Sequence, residues 1–211
     1  MKYIYNPPYI IKKIFNEYYW NTVNDKVLLT YDDGPNRETT PIILEQLDRH
    51  SIKAVFFCVG ENLKRYPDQA EVIFKNGHTI ANHTFSHRII GNLNPFELRS
   101  ELSSFNEVYY DLFGESPKYF RPPHGRFTLN LKNVLKEFGM KNVMWSLLTY
   151  DYKNDLNIVK FAVHNFLENN SIVVMHDNIK NQSIVSDGLT VLVDCVKNKG
   201  FEFGNPSECM N

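Results

Sequence analysis

The sequence predicts an α/β fold with a parallel sheet, and three observations carry that expectation. Short β-branched and aromatic runs alternate with longer segments of helical character, the polar residues of most chemical interest follow those runs, and no repeat, low-complexity tract or Gly/Ser linker divides the 211 residues. Strands separated by helices pair in parallel, because a parallel connection needs a crossover long enough to hold a helix. An open doubly wound sheet and a closed (β/α) barrel both satisfy this, and periodicity does not separate them.

The strand candidates are VLLTY (27–31), AVFFCV (54–59), HTIAN (78–82), KYF (118–120), VMWSL (143–147), SIVVM (171–175) and FEF (201–203). Helices are predicted between most of them. TTPIILEQLDRH carries Pro41 where a first helical turn accepts proline, and NPFELRSELSSFNEVYYDLF opens on Asn94 and Pro95. LNLKNVLKEFG closes on Gly139, NDLNIVKFAVHNFLENN follows, and SDGLTVLVDCVKNKG again ends on glycine.

A content of 43% hydrophobic and 14% aromatic residues is enough for the core of one large domain. With 23 basic against 24 acidic residues, a net charge of -1 and no block of like charge, a nucleic-acid surface is not expected. Cys58, Cys195 and Cys209 are odd in number and widely spaced, so they read as buried, inert thiols rather than a disulfide framework or zinc knuckle.

The first residues, MKYIYNPPYIIKKIFNEYYWN, lack an apolar run followed by a small-residue cleavage site, so export by a standard signal is not expected and cytoplasmic localisation is the default. No later stretch reaches membrane-spanning length. Ile10, Ile11, Ile14, Phe15, Tyr18 and Tyr19 form a stripe at helical spacing beside Lys12 and Lys13. Such a stripe more often packs on its own domain than on a membrane. Residues 1–24 are therefore expected to form an extension packed on the main domain, without membrane contact, in a monomer or weak oligomer.

Asp32, Asp33, His83, His87, Arg121, Asp151 and His176 share one position, just after a predicted strand. The carboxyl ends of parallel strands gather on one face, where the loops leaving them build active sites. TYDDGP (30–35) sets two carboxylates before a Gly-Pro turn, and on its own would be an ordinary turn. HTFSH spaces His83 and His87 four residues apart, which brings both imidazoles to one side of a helical turn. Two imidazoles with one carboxylate make a facial ligand set that leaves positions open for water and substrate, the mark of a catalytic rather than a structural site. RPPHG (121–125) fixes an arginine before two prolines in a stiff, extended backbone, and VVMHD offers His176 as a proton donor near neutral pH.

Together TYDDGP, HTFSH, RPPHG, WSLLTYDY and VVMHD occur in the order of the five motifs of the polysaccharide deacetylase family, also called the NodB homology domain or carbohydrate esterase family 4. The resemblance covers about residues 25–206. It implies a distorted (β/α) barrel of seven or eight strands. It further implies a metal-dependent hydrolase removing the N-acetyl group of N-acetylhexosamine units in a glycan, with acetate released. Asp33, His83 and His87 would hold the divalent ion, zinc by default, with cobalt, nickel or manganese also compatible with such a set. Asp32 would act as general base, paired with Arg121, and His176 as general acid, oriented by Asp151. The backbone N–H at His124 would serve the oxyanion. Substrate contacts are expected from His124, Tyr152, Pro123 and Trp145.

The sequence departs from the usual family pattern at Tyr31 (commonly phenylalanine), His124 (commonly tyrosine), Leu148 (often aspartate), Tyr152 (commonly tryptophan) and Ser171 (often glycine). Of these, His124 bears most on substrate fit, since an extra imidazole at the rim is placed to touch the sugar. Two other readings keep the same fold. In one, the same site attacks an O-acetyl ester, a formamide or a cyclic imide; in the other, the chain binds carbohydrate without turnover.

Overall fold

The structure, a computed structural model, describes residues 3–210, so the first two residues of the predicted N-terminal extension lie outside it. Seven parallel strands form one curled sheet, the distorted (β/α) barrel that the family resemblance implies. They are β1 (Leu28–Asp33), β2 (Val55–Cys58), β3 (Thr79–Asn82), β4 (Tyr119–Phe120), β5 (Lys141–Asn142), β6 (Leu147–Leu148) and β7 (Ile172–His176), in the spatial order β5-β4-β3-β2-β1-β7-β6. The helices are α1 (Tyr9–Ile14), α2 (Thr40–Arg49), α3 (Gly60–Arg65), α4 (Pro67–Lys75), α5 (Pro95–Phe113), α6 (Leu131–Glu137), α7 (Leu156–Phe166), α8 (Val185–Asn198) and α9 (Pro206–Cys209).

The central strands are buried on both faces, which is why they read as continuous apolar runs rather than alternating ones. Leu29, Tyr31, Phe56, Cys58, Val173 and Met175 point outward into a layer with Ile43 and Leu47 of α2, Val159 and Val163 of α7, and Leu189 and Leu192 of α8. Leu28, Val55, Phe57, Ala81 and Ile172 point inward and meet Cys209 and Met210 at the end of α9, which fill the barrel interior. All three cysteines are free and buried, as expected of inert thiols.

Two predicted strands come out differently. VMWSL is divided, with β5 ending before it and β6 starting at Leu147, because its carbonyls serve another partner: Val143 O and Met144 O accept from the Arg121 guanidinium at 2.9 and 2.8 Å. FEF contributes only an isolated parallel bridge between Phe203 and Val27. Helices α3 and α4 fall outside the predicted segments, although Pro67 at a first turn and Gly77 at φ 75° after the last are ordinary start and stop signals.

Ile11, Phe15 and Tyr18 of the N-terminal stripe pack with Trp20, Met144 and Phe127, while Ile10 and Ile14 stay exposed at 64% and 60%. A six-residue helix cannot turn six stripe positions onto one surface. Among the described residues no helix is long and apolar enough to cross a membrane.

Candidate active site

Strand register places the first catalytic candidates. Asp32 is the neighbour of His176 across the β1–β7 ladder and of Phe57 across β1–β2, so all three side chains share the inward face with Leu28 and Thr30. Asp33 would point outward by alternation, but its φ of 81° breaks the strand and returns it to the same end.

Arg121 is fully buried inside the barrel, which excludes a solvated loop arginine. Its guanidinium donates to Val143 O, Met144 O, Thr30 Oγ1 (2.7 Å) and Asp32 Oδ1 (2.7 Å), and lies 4.0 Å from the Phe57 ring centre. A buried charge is tolerated only when its donors are met and a counter-ion is close, and both conditions hold here. With Oδ1 taken by Arg121, Asp32 turns Oδ2 toward the cleft, 4.0 Å from His83 Nε2.

His83 and His87 do converge, but not on a helical turn. Thr84 and His87 have φ of 65° and 57°, and the loop's polar groups are satisfied from outside it. Gly60 and Glu61 N–H donate to the carbonyls of Thr84 and Phe85, and Glu101 of α5 accepts from the Ser86 N–H and hydroxyl. Those bonds take the place of helical ones. Positive φ at Asp33, Thr84, His87, His124 and Tyr150 puts five strained backbones around one cleft, each costing about 1–3 kcal/mol and held by its surroundings.

The donor set fits a divalent ion. Asp33 Oδ1 lies 3.1 Å from His87 Nε2 and 3.9 Å from His83 Nε2, and the three ligand atoms fall within 4.8 Å of one another. His83 Nδ1 sits 2.7 Å from Arg121 O, a pure acceptor, so Nδ1 carries the proton and Nε2 keeps its lone pair for the ion. Burial lowers the His83 imidazole to about 4, which favours the neutral, ligating form. Burial alone would raise the Asp33 carboxyl, but the His87 hydrogen bond and the charges of His176, His83 and His87 hold it far below the ordinary range.

Across the cleft, His176 Nδ1–H donates to Asp151 Oδ1 at 2.7 Å, leaving Nε2 toward the open space. Burial disfavours the imidazolium, but the Asp151 charge and hydrogen bond, with help from Asp33 and Asp32, raise it to about 9. Asp151 is fixed in turn by the His176 N–H and by Asn181 Nδ2, both at 2.7 Å from Oδ2.

These groups surround a cleft of about 570 Å³. Asp32, Asp33, His83, His87 and His176 line it, with His124, Trp145 and Tyr152 at its walls, while Arg121 and Asp151 act from behind. His124 stands edge-on to His87 with ring centres 4.8 Å apart. Pro123 is buried, and its fixed φ stiffens the loop that carries His124 to the rim. Gly125 follows with φ 65°, and a Cβ there would come within 2.2 Å of the Trp145 ring.

Sequence reading misses the supporting residues. Asn178 Nδ2 donates to Asp33 Oδ2 at 2.9 Å, and Asn62 Nδ2 to Asp33 O at 2.8 Å. Asp177 is fully enclosed beneath Gly34 and accepts from Thr39, Thr40 and Asn36 at 2.6, 2.5 and 2.9 Å. Burial raises its carboxyl to about 6 against the pull of those donors. Asp177 closes the VVMHD motif and Asn178 follows it, the one sequence signal that pointed to them. Asn178→Ala should leave Asp33 free to rotate and weaken ion binding about 10–100-fold, read by competition with a chelating dye. Unchanged affinity would show that Asn178 does not orient Asp33.

Comparison with known proteins adds the following. Residues 21–143 match the polysaccharide deacetylase family. A peptidoglycan-N-acetylglucosamine deacetylase of Bacillus cereus is 35% identical over 84% of this chain, which spans 66% of that relative's length and a smaller share of some others. The crystal structure of the Bc1960 peptidoglycan N-acetylglucosamine deacetylase superposes with a TM-score of 0.87 at 30% identity, covering 97% of each chain. A pseudoenzyme of carbohydrate esterase family 4 from Bacillus anthracis superposes at 0.80 with 26% identity, over 91% of this chain and 68% of that one.

Proposed function

The chain belongs to the polysaccharide deacetylase family, and from that membership we propose that it is a zinc-dependent hydrolase removing the acetyl group from N-acetylhexosamine units of a glycan. One observation supports this reading above the rest. Asp33, His83 and His87 converge on one point of a cleft that also receives a carboxylate oxygen from Asp32 and an imidazole nitrogen from His176. A pseudoenzyme among the relatives makes binding without turnover the reading to test against, and the presence of Asp32, Asp33, His83, His87 and His176 in one cleft supports turnover over it.

A divalent ion held by Asp33, His83 and His87 lowers the pKa of water and polarises an amide carbonyl when bound. The protein's own groups do the rest. Asp32 Oδ2 accepts the proton of the attacking water, while Arg121 holds Oδ1 and fixes the carboxylate plane. His176 donates from Nε2 to the departing amine, which is too basic to leave unprotonated, and Asp151 holds the ring through Nδ1. The His124 backbone N–H steadies the oxyanion, and Trp145, Tyr152 and the His124 ring flank the sugar.

Asp32→Asn tests this directly. Asparagine still accepts from Arg121 but does not take a proton, so acetate release from N-acetylglucosamine oligomers should fall at least about 10²–10⁴-fold while ion content stays near wild type; Tm should drop, because the buried Arg121 charge loses its counter-ion. A wild type that binds such oligomers and releases no acetate, from them or from ester, formyl or imide analogues, would establish the non-catalytic reading instead.

A further inference from the structure

The N-terminal segment reaches the active site through Tyr150. Leu148 N–H donates to Tyr5 O at 2.8 Å, Ile4 N–H donates to Tyr150 Oη at 3.0 Å, and the Tyr150 hydroxyl donates back to Ile4 O at 3.1 Å. The Tyr3 and Tyr5 rings lie 4.8 and 5.3 Å from the Tyr150 ring. Tyr5 is itself stacked on Phe166 at 5.0 Å, with Phe161 at 5.5 Å, so the segment is pinned to α7.

What this anchoring holds is unusual backbone. Tyr150 sits at φ 57°, ψ 26°, a left-handed conformation that side-chain-bearing residues avoid, immediately before Asp151. Its ring continues the contact line inward, 5.7 Å from Tyr152, whose ring is 4.8 Å from His176. Left to itself, Tyr150 would relax toward ordinary φ, and that rotation moves the next peptide and swings Asp151 against the histidine it orients. A merely convenient hydroxyl would satisfy itself with water at this edge; here both of its bonds go to one residue of a segment fixed elsewhere.

We propose that residues Tyr3–Tyr5 are a clamp that positions the Asp151–His176 pair and Tyr152, with Tyr150 as the positioning residue that transmits it. The inference rests on the deacetylase reading above for its kinetic consequence, but its structural consequence can be read without any substrate.

The test uses the full chain with two mild variants. Tyr150→Phe keeps the ring and removes both hydroxyl bonds, and Ile4→Pro removes the N–H from the other side at an exposed position. Two readouts are taken: kcat and KM on N-acetylglucosamine oligomers, and the NMR resonance of the His176 Nδ1 proton, assigned by its loss in His176→Gln. Both variants should lower kcat about 10-fold with KM and Tm little changed, as expected for a small misplacement of a proton donor, and should shift or broaden the resonance. The clamp requires both readouts to move, and either one at its wild-type value overturns it. If the wild type turns over no glycan, the deacetylase reading fails and the resonance alone decides the clamp.

Discussion

His83→Ala is expected to lose the bound ion and at least about 10³ in acetate release. His83 contributes one of three ligand atoms, and its Nδ1 bond to Arg121 O fixes the ring with Nε2 toward the other two. Transition-state stabilisation of several kcal/mol disappears with the ion, and about 1.4 kcal/mol corresponds to each tenfold in rate. Because His83 is 1% exposed, the variant also leaves a cavity and an orphaned carbonyl, so lower activity alone is ambiguous. Chelator treatment of the wild type separates the two causes. Activity lost on chelation and restored by zinc or cobalt, together with an ion-free His83→Ala of near-normal circular dichroism, would assign the loss to the site. Full activity in the chelated wild type would sink the metal-dependent reading.

The sequence made the ends of the central strands legible, and with them the site. Buried parallel strands announce themselves as apolar runs, and a polar residue directly after such a run has few places to go except the carboxyl-end face. That logic found Asp32, Asp33, His83, His87 and His176, which the structure brings to one cleft. It worked less well where local pattern and tertiary bonding compete. VMWSL has strand composition, yet a guanidinium from 22 residues upstream of Val143 takes the carbonyl a ladder would have used. HTFSH has helical spacing, yet helix α3 and Glu101 supply its hydrogen-bond partners.

Supporting residues were illegible for a different reason. Asn178 and Asn181 follow the last strand and Asn62 sits in α3, and nothing in composition distinguishes an asparagine that holds a site residue from one that faces water. In RPPHG the two prolines stiffen the chain so that the first residue beyond them, His124, is the exposed one. Arg121 shows how much depends on a partner that the sequence does not display. Its position before the prolines was readable, whereas its burial follows only from the four acceptors and the Phe57 ring that the curled sheet gathers around it.

Asp151→Asn is expected to lower kcat about 10²–10⁴-fold and to move the alkaline limb of the pH–rate profile to lower pH. The sign follows from which form of His176 works. As general acid it must carry its proton, so activity holds below its pKa and falls as pH rises through it. Burial pushes that pKa down, and Asp151, with the charges of Asp33 and Asp32 adding to it, more than reverses the push, to about 9, which keeps the imidazolium dominant at neutral pH. Removing the charge while keeping the shape lets burial win, and the limb retreats. Stability carries the same signature. A histidine raised from its ordinary 6.5 to about 9 contributes stability that is fully present below 6.5 and lost as pH climbs through 9. The Tm gap between wild type and Asp151→Asn should therefore be widest at or below pH 6.5 and narrow toward pH 9 and beyond. A variant with reduced kcat but an unmoved limb and a pH-independent Tm gap would mean that Asp151 serves only to hold the loop, through Asn181 and the His176 N–H, and that the proton comes from elsewhere.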